Sequence, residues 1–314
     1  MKKRILCIGE LLIDFFTIER GVSIQQATHF EKQAGGAPAN VCAAIAKLGG
    51  QASFCGKVGT DAFGHFLEQT LEQASVNTEL LIKDARYPTT LAFVSRQQDG
   101  ERDFIFNRGA DAELVAEELP MNKLLVHEVV HFGSATALLS DPFTRAYRHL
   151  FAQFEQCGAF LSFDPNYREQ LWNGDIQRFV RECTPFLRAA HFVKMSEEEL
   201  ALFSAAATLE QRAKEVYQLG MKWLVITLGA RGTLFYDGGE MTLVPSISVE
   251  MVDSTGAGDA FVGAILVQLS ELEQPLLLEH EQLVPMIARA NKVGAKVCEK
   301  VGAIAALPTW QDMD

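Results

Sequence analysis

Along this chain short apolar runs alternate with longer stretches in which apolar residues return every three or four positions. The first pattern predicts buried strands and the second predicts helices. Residues 4–8 form a core strand by this reading. Residues 38–48 form a helix, with Pro38 in its first turn and Gly49-Gly50 at its end. A short strand follows at 52–58, and 61–74 has helical spacing. Residues 129–132 are a strand. Ser140-Asp141-Pro142 opens a helix that runs to Cys157-Gly158, with a capping side chain and an early proline. Strands are expected at 160–163, 192–195 and 223–227, and helices at 256–269 and 283–300. Ser196 and Glu199 have the spacing of a capping box at the start of another helix.

Strands alternating with helices across short loops imply an α/β fold with a mainly parallel sheet covered on both faces. No linker or repeat divides the chain, so a single domain over 1–314 is expected. One region departs from the rhythm. Residues 15–18, 27–31, 91–97 and 102–106 look like strands without helices between them, and residues 98–101 supply a turn. A small sheet drawn from about 15–31 and 91–106 would stand off the main body as a lid, excluding water from a reacting group.

Composition narrows the classes. The 314 residues are 48% hydrophobic and 22% charged, which suits a globular chain with a large core. The net charge of −12 argues against a nucleic-acid or anionic-membrane partner, because phosphate contacts need clustered Lys and Arg. Six scattered cysteines without a CxxC pair fit a reducing, cytoplasmic setting. The apolar N-terminal run is broken by Glu10 and Asp14, so it reads as a first strand and not as a signal peptide. No stretch has the roughly 18–20 uncharged apolar residues of a membrane helix.

The richest chemistry lies in Asp253-Ser254-Thr255-Gly256-Ala257-Gly258-Asp259. Small residues leave the N–H groups of Gly256, Ala257 and Gly258 open at the start of a helix, where geometry and dipole favour an anion. Asp259 stands beside them and can accept a hydroxyl proton. A bare GxGD is more often a tight capping turn, so it needs support from elsewhere in the chain. That support is a second glycine segment, Ala34-Gly35-Gly36-Ala37-Pro38-Ala39-Asn40, and a third, Gly56-Lys57-Val58-Gly59-Thr60-Asp61.

Taken in order, these segments resemble the N- and C-terminal signatures of the ribokinase-like (PfkB) family of carbohydrate kinases, and the resemblance spans nearly the whole chain. It implies a three-layer α/β sandwich with a small β lid, and ATP-dependent phosphorylation of a sugar hydroxyl. It assigns Asp259 to proton removal and Gly256, Ala257 and Gly258 to the transferring charge. Asp14, Gly35, Gly36 and Asn40 would hold the sugar. Thr227, Gly229 and Gly232 resemble the family's nucleotide loop. Asn291 and Gly302 would edge the nucleotide site. Glu199 would organise magnesium and phosphate, although Ser196 stands where the family pattern NxxE has Asn. A monovalent cation, K⁺, would sit near Asp253 and Thr255.

Asp164-Pro165-Asn166-Tyr167-Arg168-Glu169-Gln170-Leu171-Trp172 resembles a stretch of fructokinases, and so does the segment beginning at Lys194. Asn166, Arg168 and Arg108 would then meet sugar or phosphate, and Lys194 the nucleotide. Fructose, giving fructose 6-phosphate, is the expected substrate. Kinases of 2-keto-3-deoxygluconate, ribose or nucleosides share parts of the pattern. A non-catalytic sugar or nucleotide binder is a further reading, which the intact Asp259 segment disfavours. A homodimer through the lid is consistent with the family.

Two other motifs are set aside. His127-Glu128-Val129-Val130-His131 matches a zinc-peptidase pattern, but the valines predict a strand, in which the histidines stand about 13 Å apart. Gly50 to Lys57 is one residue too long for a phosphate-binding P-loop and has Val58 after the lysine.

Overall fold

The computed structural model describes residues 2–19, 21–96 and 102–313. Its main sheet contains β1 (Arg4–Ile8), β4 (Gln51–Gly59), β5 (Asn77–Asp84), β8 (Val129–Phe132), β9 (Phe160–Phe163), β10 (Phe192–Ser196), β11 (Trp223–Thr227), β12 (Thr233–Tyr236) and β13 (Met241–Val244). The order across it is β13-β12-β11-β10-β9-β8-β1-β4-β5. All neighbours are parallel except the pairs that β12 makes, which are antiparallel. β1, β8 and β9 are apolar on both faces and buried almost throughout, as a sheet between two helical layers requires.

Helices α1 (Ala37–Lys47), α2 (Ala62–Gln73), α9 (Ala257–Ser270) and α10 (His280–Val297) pack on one face. Helices α4 (Phe143–Gln156), α6 (Ile176–Ala189), α7 (Glu197–Phe203) and α8 (Leu209–Tyr217) cover the other. Two single-turn helices, α3 (Met121–Leu124) and α5 (Glu169–Trp172), sit in connections. α9 is apolar around its circumference and is buried from Ala260 to Ser270, sandwiched by α1 and α10. Gly263 permits that approach, since a Cβ there would lie 2.7 Å from Ala44 Cβ on α1. No helix among the described residues is long and apolar enough to cross a membrane.

The smaller sheet contains β2 (Leu12–Thr17), β3 (Phe30–Gly35), β6 (Leu91–Arg96) and β7 (Arg102–Asn107), in the order β3-β2-β6-β7. Its strands come from the two regions expected to form a lid. The second strand differs from the expected 27–31, beginning at Phe30 and running on to Gly35. Pairing fixes this, because Gly35 registers opposite Leu12 and Phe30 opposite Thr17. The expected turn at 98–101 lies outside the described residues. β2 alternates in the manner of a strand. Leu12, Asp14 and Phe16 face a cavity, while Phe15 stacks on Phe93 at 5.0 Å on the other side.

The expected start of α4 also differs. The helix begins at Phe143, and no side chain caps it; the Ser140 carbonyl, not its hydroxyl, accepts from the Thr144 N–H. α10 begins at His280 and ends at Val297, about one turn earlier at each end than its apolar pattern suggests. Glu279 and Gln282 form a capping box that extends the helix toward the N-terminus.

Candidate active site

From β1 the chain proceeds to β4 and β5 on one side, and then returns to build β8 through β11 on the other. The boundary between β1 and β8 is therefore a topological switch point, and a crevice at the carboxyl ends of the strands is expected there. A cavity of about 630 Å³ occupies that place, with the small sheet over it. Glu10 follows β1, Ala135 and Thr136 follow β8, Asn166 and Arg168 follow β9, and Ser196 and Thr227 end β10 and β11. All line the cavity.

Asp259 stands in the first turn of α9 and opens on the cavity. The Asn40 side-chain amide, on α1, donates to Asp259 Oδ2 at 2.8 Å. The contact of α1 with α9 around Gly263 thus holds these two side chains together. Desolvation pushes the Asp259 carboxyl up to about 6, against the lowering influence of Asn40 and Lys194. The other end of the Asn40 amide, Oδ1, is buried without a hydrogen-bond partner. A buried acceptor of this kind is costly unless a ligand donor meets it.

The preceding turn is built as an anion cradle. Gly256 caps α9 in the left-handed region, with φ at 78°. Gly256 and Gly258 line the cavity, whereas the Ala257 N–H turns to the Ser254 carbonyl at 3.3 Å and Ala257 does not reach the wall. The first-turn amides of a helix have no acceptor within it. Lys194 lies directly above: a Cβ on Gly258 would come within 3.3 Å of Lys194 Nζ. Burial works against the Lys194 charge, but Asp164, Glu199 and Asp259 hold its pKa well above the ordinary value, so it stays cationic. Its Nζ donates to Asp164 Oδ2 at 3.0 Å.

Glu199 carries two duties. One oxygen accepts from the Ser196 N–H at 2.7 Å, closing the capping box of α7. The other accepts from the Tyr167 N–H at 2.7 Å, which anchors the loop after β9. Asn166 has φ at 48° and donates to the Gly133 carbonyl at 2.9 Å. Arg168 is exposed on the rim and lowers the pKa of Asp14.

Asp14 lies on the opposite wall, with Oδ2 so close over Gly35 that a Cβ there would sit 1.9 Å away. Burial pushes its carboxyl up to about 7, with Arg168 opposing and Glu10 assisting the rise. Gly36 has φ at 104°, and a Cβ would meet the Glu10 carbonyl at 2.4 Å, so the floor loop admits only glycine there.

Several other candidates lie off the cavity wall. The Arg108 guanidinium turns to Asp111 Oδ2 at 3.1 Å and to the Ser140 hydroxyl at 2.9 Å, because a nearly buried carboxylate beside it outcompetes the open cavity. The Asn291 amide donates to the Val244 carbonyl at 3.0 Å and accepts from the Thr233 hydroxyl at 2.6 Å, and so pins the edge strands. Gly229 and Gly232 form the turn between β11 and β12, next to Thr227. Asp253 joins two loops: Oδ1 accepts from the Thr255 hydroxyl and Oδ2 from the Gly302 N–H, at 2.8 and 3.2 Å.

Sequence reasoning passes over Glu10, Asp164, Tyr167 and Thr136. The signal for Glu10 was its place. It is an acid inside an apolar run, which is buried only where partners are waiting. The zinc-peptidase match fails as expected. Val129–Phe132 is strand, and His127 and His131 are each taken up by a serine hydroxyl at 2.9 Å, from Ser53 and Ser162.

Comparisons with known proteins agree with this fold. The family model for pfkB family carbohydrate kinases matches residues 2–310. Fructokinase-1 of Zea mays is 39% identical over 312 residues, covering 98% of this chain and 95% of the relative. Among solved structures, fructokinase with bound ATP from Xylella fastidiosa superposes with a TM-score of 0.87 and 31% identity, covering 100% of this chain and 97% of the other. A fructokinase double mutant from Vibrio cholerae O395, bound to fructose, ADP and potassium ion, has a TM-score of 0.87 and 30% identity, covering 100% and 98%. With nearly its full length matched by the family model and its fold matched by solved fructokinases, the chain belongs to the pfkB family of carbohydrate kinases.

Proposed function

We propose that this enzyme transfers the γ-phosphoryl group of ATP to the 6-hydroxyl of fructose. The observation that carries the reading is the Asn40–Asp259 pair beside Lys194 and the Gly256–Gly258 turn, facing Asp14 across one cavity. Asp14 accepts from sugar hydroxyls, and the unpaired Asn40 Oδ1 accepts from another. Asp259 takes the proton of the 6-hydroxyl as its oxygen bonds to the γ-phosphorus. The bond from that phosphorus to the bridging oxygen breaks, and ADP leaves with the electron pair. Open amides at the head of α9 and the cationic Lys194 meet the charge on the moving group, and their fixed positions require no reorganisation. Fructose is favoured because Asn166, Tyr167, Arg168, Gln170 and Leu171 of the fructokinase-like stretch line the cavity and because the relatives above are fructokinases.

Magnesium is held chiefly by phosphate oxygens and water in such reactions. The acids beside Lys194, Glu199 and Asp164, suit a supporting place around it. The oxygen-rich junction of Asp253, Thr255 and the 302 loop suits a monovalent cation such as K⁺. Exposed Ile18 and Ile105 on the lid suit a second copy of the chain.

The test is product identity. Wild-type protein with MgATP and K⁺ is offered fructose, ribose, 2-keto-3-deoxygluconate and adenosine, and the products are read by phosphorus NMR. Fructose 6-phosphate as the dominant product supports the proposal. Preference for another acceptor keeps the phosphoryl-transfer chemistry and overturns the substrate.

A further inference from the structure

Glu10 is buried, yet the phosphoryl transfer described above gives it nothing to do. Its surroundings are unusually complete. Oε1 accepts from the Ala37 N–H at 3.2 Å and the Ala135 N–H at 3.4 Å. Oε2 accepts from the Ser134 hydroxyl, and the Thr136 hydroxyl lies 3.4 Å away. Ser134 in turn accepts from the N–H groups of Thr136 and Ala137, at 3.2 and 2.9 Å. A carboxylate has about four acceptor sites; the Ala37, Ala135 and Ser134 donors fill three of them, and the Thr136 hydroxyl reaches the fourth when its proton turns this way. Although Glu10 faces the cavity, it has little left to offer a sugar. It ties two walls together, the floor turn at Gly36-Ala37 and the loop at 134–136.

The network continues. Thr136 donates to Asp111 Oδ2 at 2.8 Å. Asp111, 1% exposed, also accepts from Thr90 through Oδ1 and from Arg108 through Oδ2. Thr90 immediately precedes β6, and Arg108 immediately follows β7. The Gly109 N–H donates to the Thr90 hydroxyl at 2.8 Å, and the Thr90 carbonyl accepts from the Ile13 N–H of β2 at 3.0 Å. Asp111 therefore gathers the roots of β6 and β7, next to that of β2. The Thr136 hydroxyl has one proton and two carboxylates within reach, and it joins Glu10 at the floor to Asp111 at the lid roots.

We propose that Glu10, Thr136 and Asp111 form a positioning relay that couples occupancy of the sugar floor to the set of the lid, with Glu10 fixing the floor and Asp111 fixing the hinge. This rests on the fructose reading above. The relay makes no contact with the reacting atoms. Its variants should change sugar affinity and lid response, with the nucleotide less affected.

The experiment measures fructose binding by calorimetry and lid protection by hydrogen exchange over 91–96 and 102–107, in wild type, Glu10→Gln, Thr136→Val and Asp111→Asn. Glu10→Gln turns an amide N–H₂ toward donors, and loss of one buried hydrogen bond is expected to weaken fructose about tenfold or more. ATP affinity should change less than about threefold, since the nucleotide-side groups are untouched. Thr136→Val is nearly isosteric. It should bind fructose with a smaller loss, yet show much weaker fructose-induced protection of the lid strands. Leu150→Ala, a core change in α4, serves as the stability control and should keep both responses when melting temperature falls equally. Wild-type affinity with full lid protection in Glu10→Gln and Thr136→Val overturns the relay while leaving fructose phosphorylation standing. Wild-type protein that binds no fructose overturns the substrate reading and the relay with it.

Discussion

Three carboxyl groups in one cavity, Glu10, Asp14 and Asp259, are pushed up to about 7, 7 and 6 by burial. For Asp259, the proposed base, this suits the task, because a base works best when its pKa lies near the working pH. The rate should fall as pH drops through about 6, where Asp259 gains a proton; a flat kcat from pH 5 to 8 would contradict its role. The same shifts set a stability trend. A carboxyl with a raised folded pKa binds more protons folded than unfolded between its two pKa values. Its contribution is full below about 4 and is lost as pH rises through its folded value. The ligand-free melting temperature should carry that downward component between pH 4.5 and 7.5. Asp14→Asn should lessen the slope and gain about 1–3 °C at pH 8, while raising the KM for fructose more than that for ATP. An unchanged fructose KM would remove Asp14 from the sugar site.

At the scale of elements, the site is a product of helix contact. Asn40 and Asp259 come from α1 and α9, which touch where Gly263 meets Ala44. Gly263→Val would force them apart, at a cost of about 1–3 kcal/mol for overpacking. The account expects lower kcat as well as lower melting temperature, because the 2.8 Å hydrogen bond stretches. Equal destabilisation by Leu150→Ala should leave kcat nearly intact. If the two variants behave alike, helix spacing does not position Asp259. Elements carrying strong periodicity or glycine punctuation were legible before any coordinates: β1, α1, β8, β10, β11 and α9. Others were not. The pattern reading assigns nothing to 176–189, where Pro185 interrupts, although Phe179, Cys183 and Phe186 share a helical face. β12 and β13 lie at the antiparallel end of the sheet, where β13 buries only Val244, so no continuous apolar run marks the pair. At the site, the residues in glycine signatures were legible as chemistry. Arg108 and Asn291 were misleading because buried partners take up their polar groups, Asp111 for the first and Thr233 with Val244 for the second, and burial is not legible in a motif. Glu10 was hidden because its four partners come from segments distant in sequence, Ala37 at the start of α1 and Ser134, Ala135 and Thr136 after β8, a juxtaposition only the fold creates.

For the whole molecule, the reversal of strand order fixes where the cavity forms. Elements on both sides of the β1–β8 boundary deliver acids, amides and Lys194 to one cavity, and the small sheet covers it. Phe16, Val94, Phe104 and Phe106 give the cavity a partly apolar roof, which suits a lid that keeps water from a phosphoryl group. The fold thereby explains why hydrolysis of ATP without a sugar should be slow: proton removal by Asp259 is useful only when a hydroxyl sits on the floor. The most direct test of this account is ADP release from MgATP with and without fructose, in wild type and in Asp259→Asn. The account predicts fructose-dependent release in the wild type and a loss of at least about 10²–10⁴-fold in the variant, with fructose still bound. Near-normal turnover by Asp259→Asn, or release in the wild type that ignores fructose, would contradict it.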